Sequence, residues 1–145
     1  MAAIVSHTTV DCADAFALSG WWKVVLGYAD VEGDPNQPGD HECMIRDPET
    51  GHGLLFIEVP DAAEAKRRCG KNRLHLDLRP RKGTRDEELE ALLAHGATPV
   101  ADLRGTHGPG TGWVVLADPE GNEFCILRSE LEVGAQERAT GIEPA

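Results

Sequence analysis

Alternating and helical hydrophobic patterns divide the first half of the chain into one strand, one helix and three further strands. Residues 4–10 alternate and are rich in β-branched side chains, which predicts a strand. A helix follows, capped by Asp11 or Asp14 and ended by Gly27. Its apolar stripe consists of Phe16, Leu18, Trp21, Trp22, Val25 and Leu26. The remaining strands are predicted at residues 28–31, 42–46 and 54–59, with turns at 33–39 and 47–51.

The second half of the chain repeats this order. Residues 74–78 carry leucines at alternate positions and predict a strand. Thr84 begins a capping-box pattern with Glu87, and the helix that it starts ends at Gly96. Strands are predicted at 98–103, 113–117 and 123–127, with a glycine-rich loop at 104–111 and a turn at 118–122. The tail is weakly patterned, and residues 134–145 are expected to fray.

Matched spacings indicate that the two halves are copies of one unit. His7 and His75 lie 68 positions apart in the two first strands, and the same offset pairs Ile57 with Cys125 in the last strands. Both halves also place Asp-Pro-Glu before the last strand. The pattern therefore predicts an α+β fold of two tandem βαβββ modules. We place these at about residues 3–60 and 73–129, joined by a linker at 61–72 with room for one helical turn.

Charge and cysteine usage exclude several function classes. The 145-residue chain has a net charge of −11, which disfavours DNA or RNA as a partner because phosphate binding needs a cationic face. The basic cluster around Lys66, Lys71 and Arg73 is interpreted as a solvated linker. No apolar run is long enough for a membrane helix, and the N-terminus has no signal-peptide pattern, so we expect a cytoplasmic protein. The four cysteines form no Cys-x-x-Cys pair, and disulfides are not expected.

Strand parity predicts which side chains are available to a ligand. If each helix packs on one face of its sheet, the opposite faces can enclose a small-molecule cleft. Leu74, Leu76 and Leu78 are expected on the helix side, so that Arg73, His75, Asp77 and Arg79 point into the cleft. By the same rule His7 shares a face with Val5 and Thr9, and Cys125 with Glu123 and Leu127.

Four segments of the chain resemble the vicinal oxygen chelate superfamily, in its glyoxalase-like branch related to glyoxalase I and bleomycin resistance proteins. They are residues 6–11, 21–28, 72–78 and 113–127, of which the run Asp-Pro-Glu-Gly-Asn-Glu-Phe at 118–124 is fairly specific. The resemblance implies a single glyoxalase-like domain at residues 1–130, followed by a C-terminal tail at 131–145. It also implies a U-shaped cleft between two modules, a small-molecule ligand or substrate, and a homodimer.

The resemblance places four metal-ligand positions at His7, Ile57, His75 and Cys125. Two imidazoles and a thiolate suit one divalent ion, whereas the side chain of Ile57 cannot bind a metal. Metal-using members usually carry carboxylates or glutamine where this chain has Ile57 and Cys125. Three alternatives stay open: a metal at His7, His75 and Cys125, a metal with a different ligand set, and no metal, with both histidines as polar contacts.

Two carboxylates are candidates for a catalytic base, because Glu123 and Asp77 both have inward parity. A salt bridge of Asp77 with Arg73 or Arg79 is the alternative. Glu58 is expected to face the other way unless a one-residue bulge turns it inward.

Ligand contacts are predicted at Ile57, Arg73, Trp22, Trp113 and His107. Trp113 follows the flexible loop and can stack on a ligand, and His107 lies within that loop, where a lid would sit. For the tryptophans the alternative is core packing, and for His107 it is solvent exposure.

Three functions are consistent with this pattern. The first is a glyoxalase-like lyase or isomerase acting on a small carbonyl or vicinal-oxygen compound through a divalent metal. The second is a metal-free protein that binds or sequesters a small molecule. The third is a scaffold whose cleft is vestigial. The matched histidines favour the first function, and Ile57 at a ligand position favours the second.

Overall fold

The computed structural model describes residues 1–140, with side chains described as far as residue 135. The chain divides into two compact units, Met1–Gly70 and Lys71–Ala145. The first contains β1 (Thr8–Cys12), α1 (Ala15–Leu26), β2 (Ala29–Asp30), β3 (Glu42–Arg46), β4 (Gly53–Glu58) and α2 (Ala62–Cys69). The second contains β5 (Leu76–Leu78), α3 (Arg85–Ala94), β6 (Thr98–Asp102), β7 (Val114–Ala117), β8 (Glu123–Ile126) and α4 (Glu130–Thr140).

Each unit builds one four-stranded mixed sheet with the same topology. The strand orders are β1-β4-β3-β2 and β5-β8-β7-β6, and in both sheets the first strand runs parallel to the last. The helix after the first strand supplies the crossover that a parallel pair needs. The predicted α+β fold of two βαβββ units is therefore confirmed.

The hydrophobic alternation predicted for the strands decides which face of each sheet is buried. In the first unit Cys43, Ile45, Leu54 and Phe56 are at most 1% exposed, while Met44 and Leu55 between them are only half-buried. In the second unit Leu116, Phe124 and Ile126 are equally buried. Each sheet therefore has one closed face. The opposite face is half-buried at Met44 and Leu55 in the first sheet, and in the second it combines exposed Asp77 with buried Val115 and Cys125.

Local signals fix both ends of α1. The Asp14 carboxylate accepts a hydrogen bond from the Ala17 amide at 3.0 Å, which satisfies a free donor of the first turn. Gly27 adopts φ 69°, a left-handed conformation that glycine adopts without a Cβ penalty. Of the two predicted caps, Asp14 is the one used.

The strand pairing in the two sheets shows that the two units are not related by a single sequence offset. Thr9 pairs with Leu55 in the first sheet, and Asp77 pairs with Cys125 in the second. His7 and Thr9 therefore correspond to His75 and Asp77, as the offset of 68 requires. The last strands instead match at an offset of 70, so Leu55, not Ile57, corresponds to Cys125. The strands β3 and β7 match at an offset of 71, so the offset rises between the first and third strands of the units. The turn of the first unit is one residue longer than that of the second and lowers the offset to 70.

The two first strands begin later than predicted. β1 starts at Thr8 and β5 at Leu76, so His7 and His75 lie immediately before their strands. Leu74, expected on the helix side, is 89% exposed, and Ile4 and Val5 are also exposed. A β-branched or alternating segment needs a paired neighbour to become a strand, and the ladders with β4 and β8 begin only at Thr8 and Leu76.

Two helices occur where sequence patterns predicted little structure. The linker forms α2, eight residues long and without a buried side chain, where a single turn was expected. The tail forms α4, which begins with a reciprocal capping box. The Glu132 amide donates to Ser129 Oγ at 3.2 Å, and the Ser129 amide donates to Glu132 Oε2 at 2.7 Å. Of the tail predicted to fray, residues 141–145 lie outside the described part of the chain. Through residue 140, the described helices include none with the length and apolar character that a membrane crossing requires.

Candidate functional site

Three polar side chains converge on the partly open face of the second sheet. His75, Asp77 and Cys125 each offer one ligand atom, and these atoms lie within 4.8 Å of one another. His75 Nε2 and Asp77 Oδ1 are 3.3 Å apart. We call this set the His-Asp-Cys cluster.

Strand geometry brings the cluster together. Asp77 and Cys125 are direct partners in the parallel pair of β5 and β8, and therefore project from the same face. His75 lies two residues before Asp77 and shares that face. Phe124 and Ile126 alternate with Cys125 and are each 1% exposed, which anchors β8 through its opposite face. The parity argument from the sequence thus placed all three donors on one face.

Burial controls the protonation of Cys125. The residue is 5% exposed, and desolvation raises the pKa of its thiol to about 11, with a further increase from the charge and hydrogen bond of Asp77. The thiol is therefore protonated at neutral pH when no metal is bound. Because a metal binds the thiolate, ligation at Cys125 would release this proton.

The donors of the cluster fit a divalent ion of borderline softness. A tetrahedral ion with bonds of about 2.0–2.2 Å holds neighbouring nitrogen and oxygen ligands roughly 3.3–3.6 Å apart. The 3.3 Å between His75 Nε2 and Asp77 Oδ1 matches this spacing. Imidazole, carboxylate and thiolate are the ligand types that Zn²⁺ accepts, whereas thiolate is a poor partner for harder ions such as Mg²⁺ or Mn²⁺.

Glu123, the other predicted base, lies outside the cluster. It stands opposite His75 in the continuation of the parallel register, and its Oε2 accepts a hydrogen bond from the Asn72 amide at 3.4 Å. The side chain of Asn72 donates to Asn122 Oδ1 at 3.0 Å, which ties the segment before β5 to the turn before β8. Glu123 is therefore held beside the cluster by the chain that leads into it.

The predicted ligands of the first unit have different surroundings. A Cβ built on Gly53 would lie 3.4 Å from the Cβ of His7, and Ser6 Oγ lies 2.9 Å from His7 Nδ1. Ile57 is half-buried on the same sheet face and pairs with Asp11 and Glu42. Leu55, the structural counterpart of Cys125, offers no donor atom either. Among the described residues, three donors meet only in the second unit.

Glu58 keeps the outward direction that parity predicts. The ladders through β4 are regular, so no bulge turns the side chain. Its Oε2 lies 2.6 Å from His41 Nδ1, and its Oε1 accepts from the Ala15 amide at 3.4 Å. Glu58 therefore supports the N-terminus of α1.

The two predicted loop residues contact each other. The rings of His107 and Trp113 are stacked, with centroids 6.1 Å apart and planes inclined by 26°. Trp113 lies just before β7 and is half-buried, while His107 is exposed. This arrangement leaves a partly exposed aromatic surface at the end of the glycine-rich loop.

The other predicted ligand contacts differ from each other in exposure. Trp22 is only 4% exposed and packs in the core of the first unit. Its ring meets that of Trp21 edge to face, with the ring centroids 5.1 Å apart. Arg73 is exposed, and Arg79 donates to the Arg128 carbonyl at 2.6 Å. Asp77 therefore contacts His75 instead of forming the alternative salt bridge with Arg73 or Arg79. The sequence patterns did not single out Arg85, a buried cation of the second unit whose only sequence signal is its place after the Thr84 cap.

Comparison with known proteins agrees with this architecture. The glyoxalase-like domain family matches residues 7–127. No curated protein matches the chain. The fosfomycin resistance protein FosX from Listeria monocytogenes has a similar structure, with TM-score 0.63 and 14% identity over 89% of this chain and 92% of that one.

Two further solved structures share the fold. A FosX variant from the same organism, complexed with Mn(II) and 1S,2S-dihydroxypropylphosphonic acid, has TM-score 0.60 and 16% identity over 91% of this chain and 94% of that one. A glyoxalase/bleomycin resistance protein/dioxygenase family enzyme from Burkholderia phytofirmans has TM-score 0.58 and 21% identity, covering 83% and 94% respectively. At these identities the structural likeness shows a shared fold, and the family match covers most of the chain. The chain belongs to the glyoxalase-like domain family.

Proposed function

We propose that this protein is a small-molecule enzyme of the lyase or isomerase type that uses one divalent ion held by the His-Asp-Cys cluster. The observation that carries the proposal is the convergence of three donors of different chemistry within 4.8 Å. The substrate class is a small carbonyl or vicinal-oxygen compound, in keeping with the family. Three protein donors leave coordination positions open for substrate oxygens.

Each residue of the site has a distinct task in this proposal. His75, Asp77 and Cys125 would hold the ion, which would polarise a substrate oxygen as a Lewis acid. Glu123 would accept the proton, because Asp77 is engaged as a ligand and the register places Glu123 opposite His75 on the same face. The Asn72 amide would keep the Glu123 carboxylate oriented. His7 and a homodimeric assembly stay predictions from the resemblance.

Metal binding with matched cysteine variants tests the proposal. Purified protein would be stripped with chelator, loaded with Zn²⁺, Mn²⁺ or Co²⁺, and analysed for bound metal. We expect one equivalent of Zn²⁺, weaker Mn²⁺ binding, and a thiolate-to-cobalt charge-transfer band with Co²⁺. Cys125→Ser should lower Zn²⁺ affinity by about 10-fold or more and remove the band, while Cys69→Ser at the exposed end of α2 should change neither. Stripped protein that takes up no ion would refute the metal-dependent proposal.

A metal-free binding or resistance function is the second candidate, and the stack of His107 on Trp113 favours it. A flat aromatic compound could extend the stack without any metal. Titration of chelator-treated protein with 2-naphthol, a neutral aromatic probe, would test this function. We expect Trp113→Ala to abolish binding and Trp21→Ala to preserve it. Equal binding by both variants would exclude the stack as the binding surface.

A further inference from the structure

Arg85 is a buried cation that the proposed function does not use. It is 6% exposed, and its Nη1 donates to the carbonyl oxygens of Thr111 and Gly112, each at 2.9 Å. Its Nε donates to Asp86 Oδ1 at 3.0 Å. Burying a guanidinium is costly unless its donors are satisfied, and here two of them are satisfied by backbone carbonyls of one loop.

These contacts close the base of the glycine-rich loop, which the structure extends from the predicted residues 104–111 to residues 103–113. The Leu103 amide donates to the Trp113 carbonyl at 2.9 Å, and the Gly105 amide donates to the Thr111 carbonyl at 2.9 Å. Arg85 therefore holds the returning side of the loop through the Thr111 carbonyl, which also accepts from the Gly105 amide, and through the adjacent Gly112 carbonyl.

The outgoing side of the loop is attached to the same helix. Arg104 binds Asp102 through two nitrogens, at 2.9 and 2.7 Å, and donates to Asp86 Oδ1 at 3.2 Å. Hydrogen bonding by Arg85, with a further contribution from Arg104, holds the pKa of Asp86 below its usual value. Asp86 thus joins both arginines at the start of α3.

Arg85 is itself fixed between two helices. Its amide donates to Glu132 Oε2 at 2.8 Å, and the same oxygen accepts the Ser129 amide at the start of α4. Thr84 caps α3 directly before it, with its hydroxyl oxygen accepting the Glu87 amide. The guanidinium therefore projects from a backbone position with little freedom, which suits it to orient a neighbouring segment.

We propose that Arg85 is a positioning residue that fixes the glycine-rich loop and so holds the His107–Trp113 stack in one orientation toward a small aromatic ligand. The ligand role of the stack rests on the proposed function above. The fixing of the loop does not, because it follows from contacts of Arg85 with loop carbonyls.

Site-resolved hydrogen–deuterium exchange tests the fixing of the loop. The reporters are the amides of Leu103 and Gly105, which close the loop, and the controls are those of Asp118 and Gly121, which close the turn before β8. We expect Arg85→Met to speed exchange at both reporters about 10-fold to 100-fold and to leave the controls unchanged. Arg68→Met, on exposed α2 of the other unit, should change none of them. Unchanged reporters, or controls that rise by the same factor, would overturn the proposal.

A conservative variant and a spectroscopic signature separate positioning from simple stabilisation. Arg85→Lys keeps the charge and can reach one carbonyl while losing the Asp86 contact, so reporter exchange should be intermediate. It also serves as the test if Arg85→Met fails to fold. The ring-current shift that Trp113 imposes on the His107 imidazole protons should shrink in Arg85→Met and recover in part in Arg85→Lys. A shift that is identical in all three proteins would overturn the positioning role.

Ligand titrations then connect the loop to function. In Arg85→Met, 2-naphthol affinity should fall about 10-fold while Zn²⁺ affinity stays unchanged, because the metal donors lie on the sheet. A parallel loss of Zn²⁺ affinity would overturn the selective role of Arg85. If the parent chain binds no 2-naphthol, the ligand role of the stack fails, and the exchange result alone decides whether Arg85 fixes the loop.

Discussion

Gly112 is predicted to be the least replaceable residue of the glycine-rich loop. It adopts φ +87°, and a Cβ built there would lie 2.0 Å from the Leu103 carbonyl oxygen and 2.9 Å from the Arg104 Cα. These are backbone atoms, so no side-chain rotation relieves the clash. Gly105 supplies a matched control in the same loop, with φ +75° and its nearest contact at 3.9 Å.

The magnitudes follow from this contrast. Gly105→Ala incurs only the left-handed backbone penalty, about 1–2 kcal/mol. Gly112→Ala incurs the same penalty and must also displace the backbone by about 1 Å. That displacement breaks the Leu103–Trp113 hydrogen bond and the bond from Arg85 to the Gly112 carbonyl, worth together about 2–4 kcal/mol. The expected loss of stability is therefore about 3–6 kcal/mol for Gly112→Ala.

Urea denaturation of both variants, followed by circular dichroism and tryptophan fluorescence, measures the difference. The m-value should stay constant if only the native state is perturbed. Stabilities that agree within about 1 kcal/mol would refute the reasoning, since they would mean that the loop moves away from Leu103 at little cost.

Four further predictions concern titration and the turn before β8. In chelator-treated protein, Cys125 should react with iodoacetamide far more slowly than exposed Cys69, and the rate at Cys125 should keep rising towards pH 11. Equal rates at the two cysteines at neutral pH would contradict the raised pKa. Because the unfolded thiol, with pKa near 9.0, loses its proton first, Cys125 should also make the free energy of unfolding fall between pH 9 and about 11. Asp118→Ala should lower the free energy of unfolding by about 2–4 kcal/mol in urea denaturation, because the buried carboxylate accepts the Glu120 and Asn122 amides. Asp118→Asn keeps one acceptor oxygen and should cost less. Equal losses of stability in the two variants would contradict this account. A carboxyl NMR titration should find the pKa of Asp102 at about 2, held down by hydrogen bonds from Arg104, and a value near 3.8 in the parent chain would contradict that contact.

Short-range signals in the sequence predicted most of the fold. The caps Asp14 and Thr84 and the stop at Gly27 act through hydrogen bonds or backbone angles of adjacent residues, so their effect can be read directly from the chain. Strand ends depend instead on which neighbour is present. Ile4 and Leu74 have the right side chains for strands but lie beyond the paired ladders, and this could not be known from alternation alone.

The sequence predicted which face of the second sheet carries the candidate site, but it did not predict which residue of the first unit corresponds to Cys125. Period-two alternation placed His75, Asp77 and Cys125 on one face, and the structure agrees. The choice of Ile57 as the counterpart of Cys125 assumed one offset along the whole repeat, and the unequal segments between the first and third strands invalidate that assumption. Arg85 was missed because a charged residue at the start of a helix is usually solvated, and only the carbonyls of a loop distant in sequence make its burial possible.

The shared register leads to a final prediction, that a second cluster can be transferred to the first unit. His7, Thr9 and Leu55 occupy the positions of His75, Asp77 and Cys125, so the double variant Thr9→Asp and Leu55→Cys would rebuild the donor set. Thr9 is exposed and Leu55 is half-buried, so the change should cost only about 1–3 kcal/mol. We expect this variant to bind one more equivalent of Zn²⁺ than the parent chain.

The control for this transfer is the pair that the sequence offset would have chosen, Thr9→Asp with Ile57→Cys. Ile57 faces Asp11 in the ladder, two residues along from Leu55, so its thiol would lie about 7 Å farther from the imidazole of His7. This variant should bind no additional Zn²⁺. If the Ile57→Cys double variant gained an equivalent of Zn²⁺ and the Leu55→Cys double variant did not, the backbone equivalence of the two units would not govern where metal donors meet. If only the Leu55→Cys double variant gained Zn²⁺, the first unit would lack a cluster only because of its side chains.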